Sequence, residues 1–205
     1  MIISTAPRLI LATRNNGKAR EMSALLGGRF TLATLTEAGF DGVIEENGDT
    51  FAMNAAIKAE TVCRALKLPV LADDSGLVVD ALDGEPGVFS ARYAGRHSND
   101  AANNTLLLER LRGVPAPRTA RFVCALALAK PGSPTIIAEG AREGEIGLEP
   151  DGVGGFGYDP LFYYEGISFA RMSAEQKNRV SHRAAAVRNL AALLDAGADR
   201  SRSRR

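Results

Sequence analysis

The run Val70 to Leu82, VLADDSGLVVDAL, places two adjacent acids, Asp73 and Asp74, inside apolar sequence. Carboxylates in such a setting cost stability unless they are capped, paired or bound to a metal. At a strand end they suit Mg2+, a hard cation that takes oxygen ligands and bridges to substrate phosphates. One of them could also accept a proton from water. The other reading is a β-turn in which Asp and Gly supply turn chemistry. Neighbouring side chains on a strand point to opposite sides. The two acids are therefore expected to divide the work, one facing a groove with a metal, the other bracing the bend through backbone hydrogen bonds.

Four further segments carry chemistry. Thr13-Arg14-Asn15-Asn16-Gly17-Lys18 lies between an apolar run and a helical pattern. Backbone N–H groups at a helix start attract anions, and Lys18 adds a full charge. The segment reads as a phosphate-binding turn, without the spacing of a Walker A loop, or as an ordinary strand-to-helix turn. Asn54 and Lys58 are four apart and share one helix face, with Glu45 and Glu46 before them in an acidic loop. That face is either functional or simply solvated. Gly152 to Gly157 formally matches G-x-G-x-x-G, but no convincing buried strand precedes it and Pro160 follows where a dinucleotide-binding helix should run. What remains is a flexible loop carrying Phe156, Gly157, Tyr158 and Asp159, whose aromatic rings either stack on a purine or tuck into the core. Lys177 and Ser181-His182-Arg183 offer donors for a purine carbonyl oxygen or a phosphate, or else form a plain helix start.

The elements that must position these groups can be read from the same pattern. Arg8 to Thr13 and Phe30 to Leu35 read as strands, with a helix between them that Gly27 and Gly28 stop. Thr50 can cap a helix running to about Leu66. Val70 to Leu82 suggests two strand pieces joined at a bend, and Gly84 to Tyr93 is loop-like. Asn99 to Leu111 is helical. Arg121 to Ala129 and Thr135 to Glu139 read as a hairpin about a Pro-Gly turn, Ser173 to Asn178 is a short helix, and Ser181 can cap a last helix to Ala196. Helices and strands alternate and then strands cluster, which argues α/β with a mixed sheet. With no repeat and no long linker, one domain over residues 1–199 is expected, followed by a disordered basic tail over 200–205.

Bulk properties narrow the field. The 205 residues are 45% hydrophobic and 24% charged, and Lys+Arg at 25 nearly balances Asp+Glu at 24. A nucleic-acid binder usually shows a basic excess, so no nucleic-acid partner is expected. No apolar run is long enough for a membrane span, and the start of the chain does not resemble a signal peptide. Cys63 and Cys124 have no metal-ligand spacing and read as small core residues. A reducing cytoplasm is the simplest address.

In order along the chain stand Thr-x-Asn-x-x-Lys, Asn-x-x-x-Lys, Ala-Asp-Asp-Ser-Gly-Leu, Pro-Gly-x-x-Ser-Ala-Arg-Tyr from Pro86, Gly-Gly-Phe-Gly-Tyr-Asp-Pro and Ser-His-Arg. This set resembles the inosine triphosphate pyrophosphatase family, in its bacterial dITP/XTP pyrophosphatase branch, over about Leu9 to Leu194. The resemblance implies an elongated two-lobed α/β fold with a mixed sheet, flanking helices and a central nucleotide-binding groove, a homodimer, and dependence on Mg2+. It implies hydrolysis of ITP, dITP and XTP to the monophosphate and pyrophosphate. By motif, Thr13, Arg14, Asn15, Asn16, Gly17 and Lys18 would bind the triphosphate together with Lys58. Asp74 would be general base and metal ligand, with Glu45 or Glu46 as second metal carboxylate, and Ser75 would contact substrate. Phe156, Gly157, Tyr158, Asp159, Lys177, His182 and Arg183 would hold base and nucleotide. Arg14 departs from the glycine that many relatives carry. The rival readings are a pyrophosphatase for pyrimidine or other modified nucleotides, and a nucleotide sensor without turnover. The Asp73-Asp74 pair argues against the sensor, because binding alone needs no water-activating base.

Overall fold

A computed structural model describes residues 7–95 and 99–202, with the side chains of 198–202 left aside. Of the expected basic tail, 203–205 lie outside the described residues, and the backbone of 200–202 continues the last helix. The strands are β1 (Arg8–Ala12), β2 (Thr31–Thr34), β3 (Val70–Val79), β4 (Thr119–Ala129), β5 (Ile136–Ile146), β6 (Phe162–Tyr164) and β7 (Ile167–Ser168). The helices are α1 (Asn16–Leu26), α2 (Phe51–Leu66), α3 (Asp100–Arg110), α4 (Ala174–Val180) and α5 (His182–Arg202). The strands form one sheet in the order β2-β1-β3-β4-β5-β6-β7. β1 pairs in parallel with β2 and β3, while β5–β6 and β6–β7 are antiparallel. The fold is mixed α/β, as the pattern of elements suggested.

Local chemistry sets the helix ends. Asn15 Oδ1 accepts from Lys18 N at 3.0 Å, Thr50 Oγ1 from Met53 N at 3.1 Å and Asn99 Oδ1 from Ala102 N at 3.0 Å. Ser173 and Gln176 form a reciprocal capping box on α4. α2 ends at Lys67, whose left-handed φ of 56° turns the chain toward Pro69.

Two stretches differ from their expected form. Val70 to Leu82 is not two strand pieces about a bend. β3 runs unbroken through Asp73, Asp74, Ser75 and Gly76 to Val79, and a short 3-10 segment follows at Asp80–Leu82. Side-chain partners for both acids remove the need for a turn to satisfy them. Gly84 to Tyr93 holds a 3-10 segment, Gly87–Arg92, rather than open loop.

The chain folds as two compact units, each assembled from separate segments. The first comprises residues 1–74, 124–140 and 183–205, the second 75–123 and 141–182. In the first, strand alternation builds two apolar layers. Ile10, Ala12, Val70, Ala72, Ala125 and Ala127 face α2, which contributes Ala55, Ala59 and Val62. Leu9, Leu11, Leu71, Cys124, Leu126 and Leu128 face Met22 of α1 and Ala186 and Leu190 of α5. The second unit packs Leu77, Val79, Phe122, Phe162 and Phe169 against Leu107 and Leu111.

Gly144 of β5 marks a close approach. A Cβ there would lie 2.4 Å from the Tyr163 carbonyl oxygen and 2.5 Å from the Phe162 ring. Gly144→Ala should therefore destabilise by about 1–3 kcal/mol, as overpacking does. That lowers the melting temperature by roughly 2–4 °C per kcal/mol in a chain of this size. Calorimetry showing an unshifted melting temperature would mean that β5 and β6 part without cost.

Candidate active site

The turn before α1 is organised by its own side chains. Thr13 Oγ1 accepts from Asn15 N at 3.1 Å, and Asn15 Oδ1 caps α1. Gly17 is buried where the helix begins. Exposed Arg14 sends Nη2 to the Gly42 carbonyl at 2.8 Å, tying the turn to the segment that leads into the acidic loop. Asn16 is exposed at the first helical position.

The acidic loop is gripped by one face of α2. Asn54 bonds both sides of Gly48, accepting from its N–H at 2.8 Å and donating to its carbonyl at 3.2 Å. One turn later, Lys58 Nζ lies 2.5 Å from Glu46 Oε2 and 3.4 Å from Asp74 Oδ1. Glu46 is half-buried and Glu45 is exposed. Glu46 is thus the acid of this loop that meets Asp74 through a shared ammonium. The sequence left the two glutamates equivalent, because only the path of the loop over α2 separates them.

Asp73 and Asp74 do face opposite sides of β3. Asp73 points to the layer of α1 and α5, where it takes Arg183 Nε at 2.8 Å, Lys18 Nζ at 2.7 Å and the Cys124 thiol at 3.2 Å. The strand is unbent at Asp73, so there is no bend to brace, and these partners reach the carboxylate from α1, α5 and β4. Arg183 also pairs with Glu21 of α1. Burial works to raise the Asp73 pKa, but the charges of Arg183 and Lys18 outweigh it and hold the carboxyl well below the usual range. Asp74 points toward α2. Burial pushes its pKa up, opposed by Lys58 and Lys18 and assisted by Glu46 and Asp73, and the net shift is upward. Its Oδ2 is buried with no hydrogen bond. For Lys58, burial lowers the pKa while Asp74 and Glu46 raise it, and the carboxylates win.

The remaining residues lie in the second unit, apart from Arg183. Ser75 follows Asp74 along β3 and is half-buried. Asp159 accepts from Phe156 N at 2.9 Å and from Lys177 Nζ at 2.5 Å. The Lys177 ammonium lies 4.8 Å from the centre of the Phe156 ring and 5.5 Å from that of Phe169. Tyr158 is buried with its hydroxyl on the Ser90 carbonyl at 2.9 Å. Gly157 holds a φ of +62°, open to glycine at little cost. His182 is 4% exposed and stacks on Phe122, centroids 4.8 Å apart. Arg183 is buried with Asp73 and Glu21 in the first unit, whereas Phe156 and its partners belong to the second.

Sequence reasoning missed Glu21 and Cys124 as members of the Asp73 cluster, and Asn54 as the loop's clamp. Cys124 read as an apolar strand residue, and only the pairing of strands brings its thiol to Asp73.

Asp73→Asn removes the negative charge that faces the buried Arg183 guanidinium and the Lys18 ammonium. The change should destabilise by about 3–5 kcal/mol near neutral pH, the range for breaking a buried pair. Because the folded pKa lies below the unfolded value of about 3.9, Asp73 contributes stability above that value and loses it as pH falls. The gap between wild type and variant should thus shrink below about pH 4. Urea unfolding at a series of pH values checks it, and a gap that stayed constant would contradict this role.

The Ham1 family model matches residues 9–193. A dITP/XTP pyrophosphatase of Halalkalibacterium halodurans is 49% identical over 190 residues, covering 91% of this chain and 98% of that one. The protein of that name from Geobacillus kaustophilus is 52% identical, covering 89% and 91%. Among solved structures, the Staphylococcus aureus Ham1 protein superposes with a TM-score of 0.83 at 40% identity, covering 93% of this chain and 99% of its own. A HAM1 protein from Coxiella burnetii gives 0.82, also at 40%, covering 92% and 98%. The stretch matched is the one over which the motifs run, and the chain belongs to the Ham1 family.

Proposed function

We propose that this chain hydrolyses non-standard purine nucleoside triphosphates, ITP, dITP and XTP, to the monophosphate and pyrophosphate. Relatives about half identical over nine-tenths of the chain bear the name dITP/XTP pyrophosphatase. The observation that carries the chemistry is Asp74, a desolvated carboxylate with a raised pKa and a buried oxygen without a hydrogen bond. It sits beside a lysine and a second carboxylate.

In this reading water attacks the α-phosphorus. A P–O bond forms, the bond to the bridging oxygen breaks, and its electron pair leaves with pyrophosphate. Asp74 takes the proton from water, and its raised basicity favours that transfer. Lys58 stands between the two carboxylates and offsets negative charge of the phosphates. Lys18 is engaged by Asp73, so the phosphate-facing charge of the first turn comes from the α1 N–H groups as well as from that ammonium.

Asp74 and Glu46 would hold Mg2+. Two oxygen donors suit a hard cation that keeps several waters and leans on substrate phosphates, and the Asp74 Oδ2 atom is such a donor. Among the described residues no group of three or more acids, histidines or cysteines gathers, so the fit is to a metal completed by phosphate and water. When bound, the ion would neutralise charge on the triphosphate.

Base selection in this reading uses donors that face the 6-keto oxygen and would meet adenine's 6-amino group donor to donor. The Phe156 ring would stack on the purine, with Lys177 beside the ring and His182 in the same unit. Arg183 is assigned to bracing, because Asp73 and Glu21 enclose it. A homodimer and a cytoplasmic setting complete the reading. No helix of the described residues is long and apolar enough to cross a membrane.

Pyrophosphate release measured over ITP, dITP, XTP, GTP and ATP, with and without Mg2+, tests the reading directly. The first three should be hydrolysed far faster than ATP, and only with metal. Preference for a pyrimidine nucleotide, or binding without turnover, would overturn it.

Asp74→Asn keeps the shape but loses the proton acceptor, so kcat should fall by at least about 10²–10⁴-fold. Nucleotide binding measured by calorimetry should persist, because the first turn and the aromatic loop are unaltered. A variant that kept most of its kcat would move the water-activating role elsewhere.

A further inference from the structure

The glycine-rich loop is held in the second unit residue by residue. Phe156 N and Lys177 Nζ both bond Asp159, and the Tyr158 hydroxyl bonds Ser90. Gly157 is held from α3. Its N–H donates to Asp100 Oδ2 at 2.6 Å, and its carbonyl accepts from Asn104 Nδ2 at 3.1 Å. Asp100 and Asn104 are four residues apart, so one stripe of α3 takes hold of both sides of a single residue.

Neither residue belongs to the apolar core. Asp100 is exposed and Asn104 is half-buried, while α3 buries Asn103 and Leu107. Asn104 Oδ1 is buried without a hydrogen bond, so this amide keeps one unsatisfied acceptor while its nitrogen holds the loop. The loop needs such a hold. Gly152, Gly154, Gly155 and Gly157 crowd one short segment, and glycine backbone has the most conformational freedom to lose. A ring carried on free glycines would be ordered only when ligand binds, at a cost in affinity.

We propose that Asp100 and Asn104 are positioning residues, which fix the backbone on either side of Gly157 and so hold the neighbouring Phe156 ring ready to stack on a nucleobase. The inference rests on the base-stacking role given to Phe156 above. Neither residue touches the substrate in this scheme. Their effect falls on ground-state and transition-state binding alike, which appears in KM and not in kcat.

The test is a double-mutant cycle read by steady-state kinetics with ITP. Asp100→Ala and Asn104→Ala should each raise KM about 5–30-fold, the scale of a lost hydrogen bond plus loop ordering, with kcat within about twofold. Asn104→Ala removes a hydrogen bond and an unsatisfied acceptor together, so its melting temperature should stay close to that of wild type. Asp100→Asn keeps an acceptor oxygen and should recover part of the loss. In a Phe156→Ala background the same substitutions should change KM by less than about twofold, because the ring they position is gone. Equal KM effects in both backgrounds, or a fall in kcat at constant KM, would overturn the proposal while leaving the stacking role intact. If Phe156→Ala alone leaves KM unchanged, the stacking role itself fails and the clamp has nothing to position.

Discussion

A carboxylate buried completely in the sheet of the first unit organises what lies around it. Asp73 sits on β3, and its partners arrive from α1 through Lys18, from α5 through Arg183 and from β4 through Cys124. Arg183 returns to α1 through Glu21. Buried ion pairs are poor sources of net stability, since desolvation offsets most of the attraction, yet losing one member is costly. The consequence is specificity of arrangement. α1 and α5 have one placement that satisfies Asp73, and the turn before α1, with its capping asparagine and Lys18, is placed with them.

The opposite face of β3 follows a different rule. Asp74 meets one lysine at 3.4 Å, and a second acid shares that lysine. Burial then dominates its pKa, and the carboxyl becomes more basic than an exposed aspartate. Two adjacent residues of the same type thus have their pKa values shifted in opposite directions, Asp73 down by its cations and Asp74 up by burial. Strand alternation supplies the separation, and the helices packed on each face supply the charges.

The second unit solves a related problem with aromatic groups. Phe122, Phe162, Phe169 and His182 stack or meet edge to face at 4.6–5.9 Å. Into this apolar setting the fold brings Lys177, paired with Asp159 and lying over two phenylalanine rings. Asp159 also accepts from the Phe156 amide, so the residue that neutralises the lysine also shapes the glycine loop. Gly155 is required there, because a Cβ would fall 2.0 Å from the Asp159 carboxylate.

The sequence by itself determined the class of fold, the cap at Thr50 and the opposite facing of Asp73 and Asp74, because periodicity, capping chemistry and strand alternation act over a few residues. Asn54 and Lys58 on one helix face, above an acidic loop, were legible for the same reason. Their targets were not. That Glu46 rather than Glu45 meets Lys58, that Cys124 donates to Asp73, and that Arg183 is enclosed by Asp73 and Glu21 depend on contacts between residues 12 to 162 positions apart. The run through Asp73 and Asp74 read as a bend because two neighbouring acids in a strand look unsatisfied when judged locally. Lysines and an arginine from α1, α2 and α5 satisfy them, and so the strand continues. A local pattern records which groups need partners, and only the packing of distant segments decides which partner each group finds.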